Sequence, residues 1–403
     1  MLASDTVPFV LDEIMDHEKV YNEALEVVKG GVVKIDHFEN IYRLPLKFEG
    51  VPNWRQATGF NVFGSGQPSF SGLLSVIKFY KHEKNLKNII WVNMRSEPVL
   101  YANNMSFAPR NPSNLNENIS VEGLSVSDVE MLQEFLIEDQ RQRTREANNI
   151  FTYHKDTYAL VPEDRRDIVL QEKCDDPYKN INTVNYTFSL AQNENEFEVM
   201  FSRLPVNDER VPNLEDFDRL SSLLYSNLGP LTAVHFNCQM GKGRTTTGMV
   251  LACLIQSKML KKPIKYKEEE NQDGTLLHGN YQAIVKLLKL LPDGRTMKME
   301  MDAIIDACSH MQNLRTCIWE THENYCKEVE KDGTSSSRAA FWKMLGVNFI
   351  ERYFYLICFN AFVTESSQTA FRDTFVYWCE RNQAILDILG TRKSGYLSSF
   401  NWV

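Results

Sequence analysis

No window of this sequence approaches the roughly 18 uninterrupted apolar residues from which a membrane-spanning helix is built. The opening segment, MLASDTVPFVLDEIMDHEKV, has no basic stretch leading into a long apolar one, so neither export nor membrane spanning is expected. Positive charge is also scarce. With 44 Lys and Arg against 53 Asp and Glu, the formal net charge is −9. That balance argues against broad nucleic-acid binding and against a polybasic membrane-surface role, and it requires any anion site to be concentrated in one place. The eight cysteines, at 174, 238, 253, 308, 317, 326, 358 and 379, form no CxxC pair, which predicts free thiols in a reducing cytosol. The eight histidines are dispersed, and neither a metal cluster nor a cofactor is expected.

What the chain does have is an ordered succession of apolar runs. At 403 residues it is long enough to bury a sizeable core in two or three domains. Residues 9–28 carry an amphipathic helical pattern that stops at Gly30 and Gly31, and GGVVKIDHFENIYRLP follows as a strand entering a domain. NIIWVNM is a short buried strand ending at Arg95. Strand, loop and helix alternate in this way to residue 255. The alternation predicts an α/β fold with a central, mostly parallel sheet flanked by helices, its chemistry collected at the carboxyl ends of the strands. Ser125 is a cap candidate for a long helix with apolar positions at Val129, Leu132, Phe135 and Leu136, whose arginines are read as a solvated face.

From Tyr281 onward the pattern is helical almost throughout, with DGTSSSR at 332–338 as the best joint. The expected division is an N-terminal helical lead-in over 1–40, a central domain over 41–300 built around the one Cys-x5-Arg loop, and a helical C-terminal extension over 301–403.

One stretch carries the chemistry. TAVHFNCQMGKGRTTTGMVLACLI begins as an apolar strand, breaks at Cys238 into a glycine-rich loop, and resumes as a helix near Thr245. Cys238 alone among the eight cysteines is followed by arginine six positions later, and it alone sits between a strand and a helix start. Gly241 and Gly243 permit a backbone whose successive N–H groups turn inward as an anion nest, and the helix adds the positive end of its dipole. Arg244 supplies a bidentate fork for phosphate oxygens. A thiol in such a field is expected to be largely thiolate at neutral pH, able to attack phosphorus and form a cysteinyl-phosphate. Thr245 is expected to donate a hydrogen bond to the sulfur. The plain alternative is a buried strand-end cysteine beside a glycine turn; a Walker A loop ranks below it, because GKGRTT lacks Gly-Lys-Ser/Thr in order.

An alkoxide leaving group needs an acid. FSRLPVNDERVPNLEDFDRL offers Asp208, Glu209, Asp216 and Asp218, and Asp208, in a turn-like Pro-Val-Asn-Asp segment, is preferred, with Asp216 and Asp218 read as solvent-facing. Arg203 is open between an anchor for this loop, a substrate contact and a surface charge. Arg95 and Glu97, just past a buried strand, are open between an extra phosphate contact and a structural ion pair. Residues 64–69, GSGQPS, are read as lining the same mouth or as a simple turn. Lys242 adds positive charge suited to a multiply phosphorylated ligand. The candidate binding set is therefore Gln239, Met240, Gly241, Lys242, Gly243, Thr245 and Arg95.

These residues carry a family resemblance. HFNCQMGKGRTTTGM resembles the loop of the paladin family within the cysteine-dependent phosphatase superfamily, and the likeness extends through FGSGQPSFSGL, IIWVNMRSEPVLY and ERYFYLICFNAF. The core is similar to bacterial cysteine-type phytases, which remove phosphates from myo-inositol hexakisphosphate. The resemblance implies Cys238 as nucleophile, Arg244 as phosphate clamp, Asp208 as acid, and a sheet flanked by helices. The chain departs from the superfamily pattern in two places: Asn237 precedes the thiol where many members have histidine, and the acid loop lacks Trp-Pro-Asp. The expected function is a cytosolic phosphomonoesterase acting on inositol polyphosphates or phosphoinositide head groups. The alternatives are a weakly active or inactive phosphate-binding scaffold, with signalling partners on the helical tail, and a protein tyrosine or dual-specificity phosphatase.

Overall fold

Continuous apolar runs such as IIWV and AVHF suit strands covered on both faces, since alternation is lost when neither face meets water. Both lie in the central sheet of the computed structural model, which describes residues 17–36, 44–119, 121–158, 165–207, 210–266, 279–334, 336–367 and 372–389. The sheet has five strands in the order Glu198–Val206, Asn88–Arg95, Thr232–Asn237, Val62–Ser65 and Arg55–Gln56. The first four run parallel, and the short edge strand is antiparallel. This is the mostly parallel sheet expected from the sequence.

Side chains alternate between its two faces, as the period of two requires. Phe63, Ile89, Trp91 and Ala233 face a core closed by the helices Phe70–His82 and Val184–Asn195. Val62, Ile90, Val92, Val234 and Phe236 face a second core shared with the helices Leu214–Asn227 and Gly243–Met259. That second core continues without a break into the C-terminal helices. Ser337–Ser366 is buried on nearly all sides from Leu345 to Val363, mostly by apolar residues but with Asn348, Glu351, Arg352 and Asn360 enclosed among them. Segment 332–338 joins it to Leu314–Asp332, against which it packs. Among the described residues, no helix is long and apolar enough to cross a membrane.

The sequence did not announce a second sheet. Six strands, of three to nine residues, run in the order Arg165–Lys173, Ile150–Tyr158, Val32–Ile35, Met105–Arg110, Leu100–Ala102 and Ile181–Thr183. Only the pairing of Val32–Ile35 with Ile150–Tyr158 is parallel. The helices His17–Gly30 and Val126–Glu146 cover this sheet, the latter opened by a capping box at Ser125. Phe135 is an exception to the expected apolar stripe: it lies exposed, with Lys29 Nζ 5.0 Å over its ring.

Register decides where chemistry can gather. Asn237 pairs with Ser65 on one side and Asn93 on the other, so two parallel strands end level and the third, Asn88–Arg95, runs only two residues further. The segments that follow them therefore share one edge. Asp36, at the end of Val32–Ile35 and bonded through its N–H to Ser106 O at 3.0 Å, reaches that edge from the second sheet.

Candidate active site

Strand Thr232–Asn237 delivers Cys238, and helix Gly243–Met259 begins five residues later. Between them, the Gly241 N–H donates to Cys238 Sγ at 3.2 Å. Two carbonyls of the loop are engaged by donors outside it: Gln67 N–H bonds Gln239 O at 3.0 Å, and the Asn53 amide bonds Met240 O at 2.9 Å. Gly241 has φ +81°, and a Cβ there would lie 2.3 Å from Gly66 N. A Cβ at Gly66 would lie 2.9 Å from Gln239 O. Residues 64–69 thus press against the loop backbone to backbone, and only glycine allows the approach.

Arg244 is buried, with Nη1 3.0 and 3.3 Å from the two Glu97 oxygens and 3.2 Å from Val206 O. Burial by itself would raise the Glu97 carboxyl; the guanidiniums of Arg244 and Arg95 outweigh it and hold the group at about 2. The carboxylate is the post on which the phosphate-loop arginine is hung. Arg203 takes none of the three roles expected of it: it is buried and holds the 95–97 segment rather than the acid loop, donating to the carbonyls of Arg95 and Glu97 at 3.2 and 3.3 Å, with Glu130 and Gln133 fixing its other nitrogens at 2.6 and 2.7 Å.

Arg95 lies deeper than a direct phosphate contact needs. Its side chain is fully buried, its Nη1 is 2.5 Å from Asp36 and its Nε 3.2 Å from Glu97. In this geometry it faces carboxylates, because the strand end points it behind the loop. Asp36 also accepts from Gln239 Nε2 at 2.8 Å, while Asn118 donates to Gln239 Oε1 at 2.8 Å. Gln239 is thereby pinned at the loop's shoulder, and Met240 and Lys242 are half-buried beside it.

Thr245 differs from expectation: its hydroxyl donates to Ser65 O at 3.3 Å rather than to the sulfur, because the side chain packs toward residues 64–65. Asp216 and Asp218 differ as well. Asp216 is buried in a capping box with Asn213, and Asp218 accepts from the N–H groups of Phe375 and Val376 at 2.5 and 3.1 Å, opening the helix Phe375–Arg381. Asp208 and Glu209 lie outside the described residues. The strand leading to them ends at Val206, whose carbonyl bonds Arg244.

Two residues near the thiol gave no signal as site residues. His235 is fully buried, 2.9 Å from Ser65 Oγ and 2.7 Å from Tyr80 OH, and stacked 3.7 Å from Trp91; burial holds it well below the ordinary histidine range. It is neutral framework. Arg55 is buried, donating to Thr246 Oγ1 at 2.8 Å and Asn53 O at 3.1 Å, and among the described residues no carboxylate pairs with it. Burial lowers it to about 10, opposed by the sulfurs of Cys238 and Cys308, so it stays cationic at neutral pH. A lone arginine in PNWRQ was the only trace of it in the sequence. Asn237, at the position often held by histidine, accepts from Trp91 Nε1 at 2.8 Å and donates to Gln67 Oε1 at 3.0 Å, locking the strand end below the thiol.

The mostly parallel sheet, with a Cys-to-Arg loop at its carboxyl edge, is similar in fold to PTP-like inositol phosphatases. Residues 92–256 match the PTP-like phytase family, described as "Inositol hexakisphosphate". Over most of its length the chain is similar to paladin. It is 28% identical to the Xenopus tropicalis paladin across 368 residues, covering 87% of this chain and 39% of that one. With the Homo sapiens paladin it shares 29% identity over 354 residues, covering 82% and 39%. The chain thus spans about two fifths of the length of these relatives.

Among solved structures, the fold is similar to the PTP-like myo-inositol phosphatase from Mitsuokella multacida, solved in complex with myo-inositol-(1,3,4,5)-tetrakisphosphate. The TM-score is 0.52 at 15% identity, over 87% of this chain and 48% of that one. The tandemly repeated phytase of the same organism gives a TM-score of 0.50 at 16% identity, with the same coverage.

Proposed function

We propose that this chain is a cysteine-dependent phosphomonoesterase for inositol polyphosphates or phosphoinositide head groups. The observation that carries the reading is the loop itself: the Gly241 N–H aimed at Cys238 Sγ from 3.2 Å, beside an Arg244 held by both oxygens of Glu97. In the first step Sγ attacks phosphorus, the bond from phosphorus to the ester oxygen breaks, and the departing alkoxide takes a proton from Asp208. Water, deprotonated by the same carboxylate, then attacks the cysteinyl-phosphate; inorganic phosphate leaves and the thiolate is restored. Arg244 and the loop N–H groups hold the equatorial oxygens as charge spreads over them. Lys242 and Arg55 supply further positive potential for a substrate carrying several phosphates.

In this account Arg95 acts by positioning, through Asp36 and Glu97, and Gln239 closes the shoulder of the loop. Thr245 fixes the loop to residue 65. Incubation with inositol hexakisphosphate, a soluble phosphoinositide and a phosphotyrosine peptide, followed by acid quench and peptide mapping, tests the reading. A phosphate adduct on the Cys238 peptide with the inositol substrates supports it. An adduct formed only from the phosphotyrosine peptide would assign the loop to protein substrates, and binding of inositol hexakisphosphate without an adduct would make the site a phosphate receptor.

A further inference from the structure

Arg352 stands on helix Ser337–Ser366, more than a hundred residues from the loop in sequence, yet it is buried against it. Its Nη2 donates to Arg210 O at 2.9 Å, and its guanidinium lies 5.5 Å over the Phe349 ring. A Cβ built on Gly243 would be 3.7 Å from Arg352 Nη1 and 3.4 Å from Gln312 Oε1. Together with Thr246 and Leu314, these residues line one small crevice.

Both contacts fall at informative places. Gly243 is the first residue of the helix that carries Arg244, and Arg210 stands two residues after Asp208 in the sequence. A guanidinium beside the positive end of a helix is unfavourable on its own account. Burying it there costs still more unless it is bonded, and the Arg210 carbonyl supplies one such bond, from an element distant in sequence.

We infer that Arg352 is a positioning residue for the phosphatase reaction, tying the backbone at Arg210 to the first turn of the phosphate-loop helix. The C-terminal helices are in this way a working part of the site. The inference rests on the cysteine-phosphatase reading, and its test separates the two. The 403-residue chain, wild type and Arg352→Met, is assayed on inositol hexakisphosphate, whose alkoxide must be protonated as it leaves, and on p-nitrophenyl phosphate, whose leaving group needs little help. A displaced acid segment predicts a fall in kcat of about 10- to 100-fold on the first. On the second it predicts less than about threefold.

Amide hydrogen exchange of the peptide spanning residues 204–214, read on the same proteins, supplies an arm independent of turnover. It is expected to quicken in the variant while exchange within residues 345–363 is unchanged. Equal losses on both substrates, or unchanged exchange at 204–214, overturn the inference. If the wild type itself is inert, the catalytic reading falls and the exchange result still decides the tether. Should Arg352→Met fail to fold, Arg352→Lys, which keeps the charge and the long stem but loses the fork, carries the same comparison.

Discussion

Replacing Glu97 with glutamine removes one buried charge from the centre of the site, and its consequences can be worked from the geometry. Glu97 is held at about 2 against an ordinary value of 4.5, chiefly by Arg244 and Arg95 acting against burial. At about 1.4 kcal/mol per pH unit, that depression corresponds to about 3 kcal/mol of folding stability at neutral pH. A carboxyl whose folded value lies below its unfolded one contributes fully above the unfolded value and loses the contribution as pH falls through the folded value. The window here runs from 4.5 down to about 2. Urea unfolding of wild type and Glu97→Gln, followed by tryptophan fluorescence, reads the difference directly. It is expected to be about 3 kcal/mol or more from pH ~7 down to pH ~5 and to shrink by about 1.4 kcal/mol per unit below pH ~4.5. A difference below about 1 kcal/mol at neutral pH, or one that stays flat down to pH ~3.5, refutes the claim that Glu97 is the ionised anchor of Arg244.

Other perturbations follow from the same contacts. Arg244→Lys keeps the charge but loses the fork that spans Glu97 and a phosphate, so kcat on inositol hexakisphosphate should drop by about 100-fold or more, and the loss of its buried bonds to Glu97 and Val206 should lower the urea midpoint as well, though by less than Glu97→Gln does because the charge remains. Gly241→Ala forces a Cβ to 2.3 Å from Gly66 N at φ +81°; a stability loss of about 2 kcal/mol or more is expected in thermal unfolding, and a neutral result would mean the loop is not packed as described. Asn237→Ala leaves the Trp91 indole N–H and the Gln67 amide oxygen unpaired in the core, with an expected cost of about 1–3 kcal/mol in urea unfolding. Asn237→His, which keeps polar atoms at that position, should lose less.

The parallel sheet was legible because IIWV and AVHF are short, apolar and bounded by loop residues, and because a strand, a glycine-rich turn and a helix in that order have few other readings. Ser125 was legible for a local reason too: the cap and its partner Asp128 are three residues apart. The second sheet was not. Its strands Leu100–Ala102 and Ile181–Thr183 are only three residues each, and they pair across some eighty positions of chain, which no local pattern records.

The supporting parts of the site were hidden for the same reason. Asp36 meets Arg95 and Gln239, Arg55 meets Thr246, and Arg352 meets Arg210 only once the chain has folded. Arg95 itself was visible as a strand-end cation; what could not be read was that two carboxylates, one of them from the other sheet, would take its guanidinium. Asp216 and Asp218 looked like a solvated helix face, yet both are spent on backbone N–H groups at helix starts.

Phosphate release from inositol hexakisphosphate by the purified chain, wild type beside Cys238→Ser under reducing conditions, tests the central claim most directly. The account predicts steady release by the wild type and its loss, by more than about 1000-fold, in a variant that still folds and still binds the substrate. Equal release by both proteins would contradict it, since the phosphorus would then be attacked by something other than the Cys238 sulfur.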